Sequence, residues 1–354
     1  MKLIKNVNLY GDTVDVAVEN GKIKEIGKNL VGEGTDFGGA KIYPGLIDIH
    51  SHGCIGYDSS VASAEEIYKM ADWQLEHGIT TWYPTTMTVN GEQLVGAMNI
   101  DLNIGHGATM PGFHMEGPFI NKKYKGAQNE KYVISPSLEL VERCKNVKIV
   151  TVAPEVEGAI EFIEKCPCVV AIGHTDCDYD TAMAAFRAGA TSITHTFNCM
   201  PGIHHRNPGP IPAGADAGAY AQLICDGIHI HPSVVRALYK LYGADRITLI
   251  SDSIHATAVG DGEYVFGGLP VVVKNGICRT LEGNLSGSTT NLFDCVKCAI
   301  SFGIPEYDAV KMASTVPAEV MGLNKGRIEV GYDADFIIVD GNFNLICAIA
   351  RGEF

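Results

Sequence analysis

The feature of this chain that most restricts its fold is the alternation of short apolar runs with helical patterns through its middle. Helical periodicity fills most of the intervals, at residues 64–77, 136–145, 158–165, 179–188 and 232–242. Repeated strand–helix units favour parallel strands that close into a (β/α)8 barrel, which needs roughly 250 residues. The predicted barrel strands are residues 42–49, 80–84, 112–115, 148–153, 169–173, 192–194, 221–225 and 247–251.

The two ends of the chain have a different pattern. Residues 2–40 alternate polar and apolar side chains, with Glu19, Asn20 and Gly21 as a turn, and residues 326–331 and 334–339 are also strand-like. This alternation is typical of strands that bury one face. We therefore predict an α/β protein in which a TIM-like barrel of residues 42–324 carries a small β-sandwich domain made from residues 1–41 and 325–354.

Composition argues against several classes of protein. The chain has 354 residues, a net charge of −14 and no run of Lys or Arg, so it lacks the basic face of a nucleic-acid-binding protein. No stretch approaches the ~20 apolar residues of a membrane span, and the N-terminus lacks the apolar core of a signal peptide. Cys295 and Cys298 are spaced like zinc ligands, but no second such pair exists and they fall in an apolar-periodic helix, so we predict that they pack in the core. We expect a cytoplasmic protein with reduced thiols and no nucleic-acid or membrane partner.

Side chains that can bind metal follow several of the predicted strands. His50 and His52 end the first strand, and residues at i and i+2 point the same way, so both imidazoles can bind one ion. An isolated pair of this kind is also compatible with a solvated loop. Other candidates end the third, fifth, sixth and eighth strands: Glu116, His174, His195 and Asp252. Because barrel strands end at a common face, where charged groups are rarely buried without partners, we predict a site for one or two metal ions rather than unrelated polar groups of the core.

Several longer segments are recognisable in order along nearly the whole chain: PGLIDIHSHG, HMEGPFIN, KGAQ, AIGHTDC, THTFNCM, HHRNPG, CDGIHIHP and GRIEVGYDADFIIVD. Together they resemble the N-acetylglucosamine-6-phosphate deacetylase family of the amidohydrolase superfamily. The HxH pair and the carboxylate after the eighth strand are typical of the whole superfamily, whereas MEGPF, THTFNCM and HHRNPG are specific to the deacetylases. Related branches usually have a carbamylated lysine at the position of Glu116.

The resemblance implies roles for individual residues. Glu116, His174 and His195 would bind the principal metal ion, and the HxH pair would bind a second one, although some family members lack that pair and use one ion. Asp252 would be the catalytic acid and base. The positions that match the lining of the sugar-phosphate site are Ala127, Gln128, Asn198, Cys199, Arg206, Asp226, Gly227, Ile228, His229, Leu285, Ser286 and Gly287.

The chain departs from the common family pattern near the site. Gln128 and Cys199 stand where other members often have His and Ala, and Ser253 follows Asp252 where Ala is common. These departures leave the metal ligands and the acid/base in place. They concern the preference for the acyl group and the sugar.

The cofactor expected from this ligand set is one or two divalent ions per subunit. Imidazoles and a carboxylate suit zinc or iron, and we predict zinc, with iron or another divalent ion as the alternative. The guanidinium of Arg206 suits bidentate contact with a phosphate, and His229 would add a donor. The alternative for Arg206 is an ordinary surface charge. Because this arginine acts near a subunit boundary in the resembled family, we expect a homodimer.

The resemblance implies metal-dependent deacetylation of N-acetylglucosamine 6-phosphate to glucosamine 6-phosphate and acetate. The alternative of the same class is N-acetylgalactosamine 6-phosphate, which differs only in the orientation of the C4 hydroxyl. A deaminase or cyclic amidase of the same superfamily is a second alternative, and the lack of a barrel lysine argues against it. A third alternative is a non-enzymatic metal-binding protein. That alternative predicts the loss of some metal ligands, but no ligand is missing here.

Overall fold

The computed structural model describes residues 1–353; residue 354, the last of the predicted C-terminal β segment, lies outside them. The strands are β1 Lys2–Leu9, β2 Asp12–Glu19, β3 Lys22–Gly27, β4 Gly34–Asp36, β5 Lys41–Pro44, β6 Leu46–Ser51, β7 Gly53–Cys54, β8 Tyr57–Asp58, β9 Ile79–Thr86, β10 Phe113–Glu116, β11 Val147–Val152, β12 Val169–Ile172, β13 Ser192–Ile193, β14 Tyr220–Ile224, β15 Ile247–Ile250, β16 Gly262–Phe266, β17 Leu269–Lys274, β18 Ile277–Thr280, β19 Phe336–Val339 and β20 Leu345–Ile349. The helices are α1 Ala64–Glu76, α2 Gly91–Ala97, α3 Leu138–Arg143, α4 Ala159–Lys165, α5 Tyr179–Ala188, α6 Pro210–Ala217, α7 Pro232–Tyr242, α8 Leu292–Ser301, α9 Glu306–Ala313 and α10 Thr315–Met321. Short 3₁₀ helices lie at Lys122–Tyr124, Glu130–Tyr132 and Ala244–Arg246. Within residues 1–353, no helix has the length and apolar character needed to cross a bilayer.

The middle of the chain forms a barrel of parallel strands in the order β6-β9-β10-β11-β12-β13-β14-β15, so the predicted fold class is confirmed. Each of the eight predicted runs supplies one of these strands. The first and last strands meet where the Ser251 hydroxyl donates to Asp48 Oδ2 at 2.6 Å and the Asp252 N–H donates to the His50 carbonyl at 2.9 Å. The interior is a packed core rather than a pore, as the barrel fold requires. Its buried side chains include Ile47, Ile49, Tyr83, Ile149, Ile224 and Ile250.

One predicted barrel strand, residues 42–49, is wrong as a single strand. Its first part is β5, which pairs with β19 outside the barrel, and only β6 enters the barrel. The strand is interrupted at Gly45, where an added Cβ would lie 2.2 Å from Thr80 Oγ1. A side chain is excluded there because the first and second barrel strands approach so closely. The domain boundaries that we predicted at residues 41 and 324 stay a prediction.

Both termini contribute to one further sheet, with the strand order β20-β19-β5-β1-β2-β3 and β4 paired to β1. The predicted hairpin is present: β2 pairs with β3, and Asn20 and Gly21 both have positive φ, as a tight hairpin turn requires. This sheet has its own buried cluster, in which Ile4 and Val16 pack with Phe336 and Ile338. The two ends of the chain thus stabilise each other.

The predicted strand at residues 326–331 is wrong. Its end forms a turn in which the Tyr332 N–H donates to the Glu329 carbonyl at 3.1 Å. Gly326 has φ +76°, and an added Cβ would lie 2.5 Å from the Ser314 carbonyl oxygen. A left-handed glycine followed by a turn cannot pair along a ladder, whereas β20, which the sequence analysis missed, does pair with β19.

A three-stranded antiparallel sheet, β16-β17-β18, is inserted after the last barrel strand and was also missed. Its first strand, β16, alternates partly exposed and exposed residues, and only its last residue, Phe266, is buried. The segment that follows it returns to the barrel, where the Ser288 N–H donates to the Asp252 carbonyl at 2.8 Å. This insertion therefore brings residues distant in sequence to the mouth of the barrel.

Candidate metal centre and substrate cavity

The predicted metal-binding residues lie together at the carboxyl ends of five barrel strands. Glu116 is the last residue of β10, and His174, His195 and Asp252 each lie two residues after the end of their strand, β12, β13 and β15 respectively. These last three have φ values of +48°, +26° and +48°. A left-handed backbone is uncommon outside glycine and is often found at functional sites. Here it turns each side chain inward immediately after its strand.

Glu116 is the centre of the cluster. Its Oε1 lies 2.9 Å from His195 Nε2, 3.2 Å from His174 Nε2 and 3.3 Å from His50 Nε2. Its Oε2 lies 3.2 Å from His52 Nε2. All of these side chains are buried. Two groups of three potential ligands therefore share one carboxylate: His50, His52 and Glu116, and Glu116, His174 and His195, each with ligand atoms within 4.8 Å of one another.

Asp252 lies on the side of the HxH pair. Its Oδ1 is 3.3 Å from His52 Nε2 and 3.4 Å from His50 Nε2. Gly287, with φ +59°, packs directly against it, since an added Cβ would lie 2.9 Å from the Asp252 carbonyl oxygen. The carboxylate is thus buried beside both histidines and faces the same cavity as Glu116.

The charges of these groups are strongly linked. Burial would raise the pKa of Glu116, but the charges of His50 and His174 and the hydrogen bonds of the neighbouring imidazoles hold it well below the usual range. Burial likewise opposes ionisation of Asp252, and His50 and His52 lower its pKa. For His52 burial favours the neutral form, but the two carboxylates raise its pKa to about 10. The pocket therefore favours a positive charge between the ionised carboxylates of Glu116 and Asp252.

The donor set fits a divalent cation. His50 Nδ1 pairs with Gln222 Oε1 at 3.0 Å, and His174 Nδ1 pairs with the Tyr124 carbonyl at 2.8 Å, which leaves each Nε2 lone pair directed at the cluster. Such partners orient metal-binding imidazoles. Within residues 1–353, the Nδ1 atoms of His52 and His195 have no hydrogen-bond partner. Imidazole nitrogens and a carboxylate suit zinc, iron and similar ions.

A cavity of about 500 Å³ opens above this cluster. That volume suits a ligand of the size of a sugar phosphate. Residues distant from one another in the sequence line it. Eight of the predicted substrate-binding residues are among them: Ala127, Gln128, Asn198, Cys199, His229, Leu285, Ser286 and Gly287.

The other predicted substrate-binding residues do not line the cavity of their own chain. Arg206 is exposed, and its Nη1 donates to His205 Nε2 at 2.8 Å. Asp226 instead supports His229: its Oδ2 accepts from His229 Nδ1 at 2.7 Å, and its Oδ1 accepts the N–H groups of Ile228 and His229. Gly227, with φ +76°, forms the turn between them.

Sequence reasoning missed part of the cavity wall. The missed residues include Lys123, Tyr124, Lys125, Phe197, Phe266 and Asn284. The first three directly precede the recognised segment KGAQ or overlap it, so their position was a usable signal. Phe266 belongs to the unpredicted insertion, and no sequence signal indicated it.

Two other polar residues at strand ends have structural contacts. His114 is hydrogen-bonded to the Ile49 carbonyl and to Thr151, and Glu155 accepts a hydrogen bond from Asn121 Nδ2 at 2.7 Å.

Comparison with known proteins agrees with this arrangement. Residues 42–353 match the amidohydrolase family. The chain belongs to the amidohydrolase family. The recognition made from the sequence segments is confirmed by relatives named as deacetylases over nearly the whole chain.

This amidohydrolase is 31% identical to N-acetylglucosamine-6-phosphate deacetylase of Lysinibacillus sphaericus, over 99% of this chain and 97% of the relative. It is also 31% identical to N-acetylgalactosamine-6-phosphate deacetylase of Escherichia coli O157:H7, over 85% and 84% of the two chains. Among solved structures, it resembles a mutant N-acetyl-D-glucosamine-6-phosphate deacetylase of Mycobacterium smegmatis in complex with N-acetyl-D-glucosamine-6-phosphate. That match has a TM-score of 0.90 and 28% identity, and it covers 96% of this chain and 94% of the other.

Proposed function

We propose that this amidohydrolase removes the acetyl group of N-acetylglucosamine 6-phosphate, producing glucosamine 6-phosphate and acetate. The observation that carries the proposal is one buried carboxylate, Glu116, shared by two groups of potential metal ligands beneath a cavity that also exposes Asp252. The relatives named as deacetylases of this sugar phosphate support the choice of substrate.

We assign the principal metal ion to Glu116, His174 and His195, and a second ion to His50, His52 and the same carboxylate. A bound divalent ion lowers the pKa of its water to about 7 and polarises a substrate carbonyl. Zinc is the ion that we propose, because imidazole and carboxylate ligands bind it well.

Asp252 moves the proton in this proposal. Its carboxylate takes a proton from the attacking water as the water oxygen bonds to the acetamide carbon. The protonated Asp252 then gives the proton to the amine nitrogen while the carbon–nitrogen bond breaks, and acetate and the amino sugar leave. The carboxylate starts ionised, because the neighbouring histidines lower its pKa against the effect of burial. It can therefore act first as the base and then as the acid.

We place the sugar against the wall formed by Ala127, Asn198, Cys199 and residues 285–287. His229, held by Asp226, would donate to the phosphate. Arg206 would supply the fixed cation for the phosphate from a second copy of the chain, because in its own chain it is exposed and outside the cavity. On this proposal the active protein is a homodimer. Free thiols at all eleven cysteines are compatible with a cytoplasmic location, which we also propose.

The substrate is tested by steady-state kinetics on the two acetylated amino-sugar phosphates under the same conditions. We expect kcat/KM for N-acetylglucosamine 6-phosphate to exceed that for its galactosamine isomer. The reverse order would favour the galactosamine deacetylase, a candidate supported by the relative of that name. Hydrolysis of neither compound by the metal-loaded protein would overturn the deacetylase assignment.

The phosphate anchor is tested with Arg206→Ala on the phosphorylated sugar and on free N-acetylglucosamine. An anchor that holds the substrate and the transition state alike should, when removed, raise KM more than it lowers kcat. We expect a sharp loss on the phosphorylated sugar and little change in the slow rate on the free sugar. Equal losses on both would mean that Arg206 supports the fold or the dimer, and ultracentrifugation of the variant distinguishes these two.

A further inference from the structure

Gln128 lies beside the metal centre, and both ends of its side-chain amide are occupied. Its Oε1 accepts the backbone N–H of Thr88 at 2.6 Å, and its Nε2 donates to Glu116 Oε2 at 2.5 Å. The side chain is only 2% exposed. Because a backbone N–H can only donate, the oxygen of the amide must face Thr88, and the NH₂ group must face the carboxylate.

The two oxygens of Glu116 have different surroundings. Oε1 lies near the imidazoles of His50, His174 and His195, whereas Oε2 has His52 and Gln128 as its partners. The terminal torsion of a glutamate is soft, so neighbours must fix the plane of the carboxylate. Gln128 supplies a donor whose direction is set by the backbone and does not depend on an ion.

Thr88 is itself fixed to the strand that carries Glu116. Its hydroxyl donates to the Glu116 carbonyl at 3.5 Å, and Gly117 packs so closely that an added Cβ would lie 2.1 Å from Thr88 Oγ1. On the other side, the Gln128 N–H donates to the Lys125 carbonyl at 2.9 Å, within the loop that walls the cavity. A continuous set of hydrogen bonds thus runs from the end of β9 through Gln128 to the shared carboxylate.

We propose that Gln128 is a positioning residue for the metal centre: it orients the carboxylate of Glu116 so that both groups of ligands can use it. This differs from the direct contact with sugar that the family resemblance implied for this position. The inference concerns metal affinity, so it does not depend on which amide is hydrolysed. Partners that orient metal ligands in this way typically change metal affinity by about 10–100-fold when they are removed.

The test is Gln128→Met, which keeps an unbranched side chain of similar length but has no donor for Glu116. The protein is freed of metal with a chelator and titrated with Zn²⁺ against a chromophoric competitor. We expect the affinity for Zn²⁺ to fall by about 10–100-fold. With Zn²⁺ in excess, KM for the acetylated sugar phosphate should stay within about twofold of the wild-type value, since on this proposal no substrate contact is lost.

The matched control is Asn284→Leu, which removes another amide from the cavity lining but leaves the contacts of Glu116 intact. Its affinity for Zn²⁺ should equal that of the wild type. If Gln128→Met does not fold, as judged by circular dichroism, Gln128→Asn replaces it with the same expectation, because its amide is one methylene too short to reach both partners. Wild-type Zn²⁺ affinity together with a raised KM would overturn the proposal and make Gln128 a ligand of the substrate.

Discussion

Replacing Asp252 by Asn gives the sharpest test of the proposed chemistry, because it removes the proton-accepting oxygen and little else. Asp252 has φ +48°, and Asn tolerates this left-handed conformation better than most residues. The hydrogen bonds that hold the segment come from its backbone: its N–H donates to His50 and its carbonyl accepts from Ser288. We therefore expect Asp252→Asn to fold normally.

The size of the effect follows from what surrounds Asp252. The other carboxylate at the centre, Glu116, is already engaged by four imidazoles and by Gln128, so it cannot replace the lost base. A positioned acid or base typically contributes about 10²–10⁴-fold to the rate. At 1.36 kcal/mol for each factor of ten, kcat should fall by an amount equivalent to about 2.7–5.4 kcal/mol in the activation barrier.

The assay measures released acetate or free amine under steady-state conditions, with metal content determined on the same samples. KM should change little, because the proposal gives Asp252 no part in holding the sugar. A variant that keeps a tenth or more of the wild-type kcat would assign proton transfer to another group. A low kcat accompanied by loss of metal would show that Asp252 acts mainly by holding the ion.

Three further perturbations address the metal, the fold and the pH dependence. Glu116→Ala should abolish retention of both ions in elemental analysis, because the two groups of ligands share this carboxylate, whereas His50→Ala should lose mainly the second ion. Gly45→Ala should lower the free energy of unfolding in urea by about 1–3 kcal/mol, since its Cβ would collide with the neighbouring barrel strand. In metal-free protein, the stabilisation that protonated His52 provides is complete below about pH 6.5 and is lost as the pH rises toward about 10. Because Zn²⁺ binds the neutral imidazole, calorimetry should show proton release on Zn²⁺ binding, and the affinity for Zn²⁺ should increase between about pH 6.5 and about 10.

Each of these has a control or a contrary outcome. Glu282→Ala removes a carboxylate that lines the cavity outside both groups of ligands, so it should retain its metal. Gly96→Ala lies in helix α2 with open space around its Cβ and should stabilise the protein by about 0.5–1 kcal/mol. Full metal content in Glu116→Ala would refute the ligand assignment, and equal stability of the two alanine variants would refute the clash at Gly45. Zn²⁺ affinity that is constant between pH 6.5 and 10 would contradict the assigned charge of His52.

The sequence by itself determined the barrel strands of this protein and its N-terminal hairpin. Eight apolar runs separated by helical patterns fix the barrel, because periods of 2 and 3.6 residues are local properties of the chain. The turn at Asn20 and Gly21 is equally local, since these residues accept positive φ. The position of Glu116 and Asp252 at strand ends also followed from the sequence, because parallel barrel strands all end at one face.

Only the tertiary structure decided how these elements meet. No local pattern predicts that Glu116 contacts both pairs of histidines. His174 and His195 follow it in the sequence by 58 and 79 residues, and His52 and His50 precede it by 64 and 66 residues. The orientation of Gln128 depends on a single backbone N–H from another strand end, and the exposure of Arg206 depends on how its loop leaves the barrel. The sequence defines which side chains a strand end presents, whereas the distances between them are set by closure of the barrel, which depends on packing across the whole core.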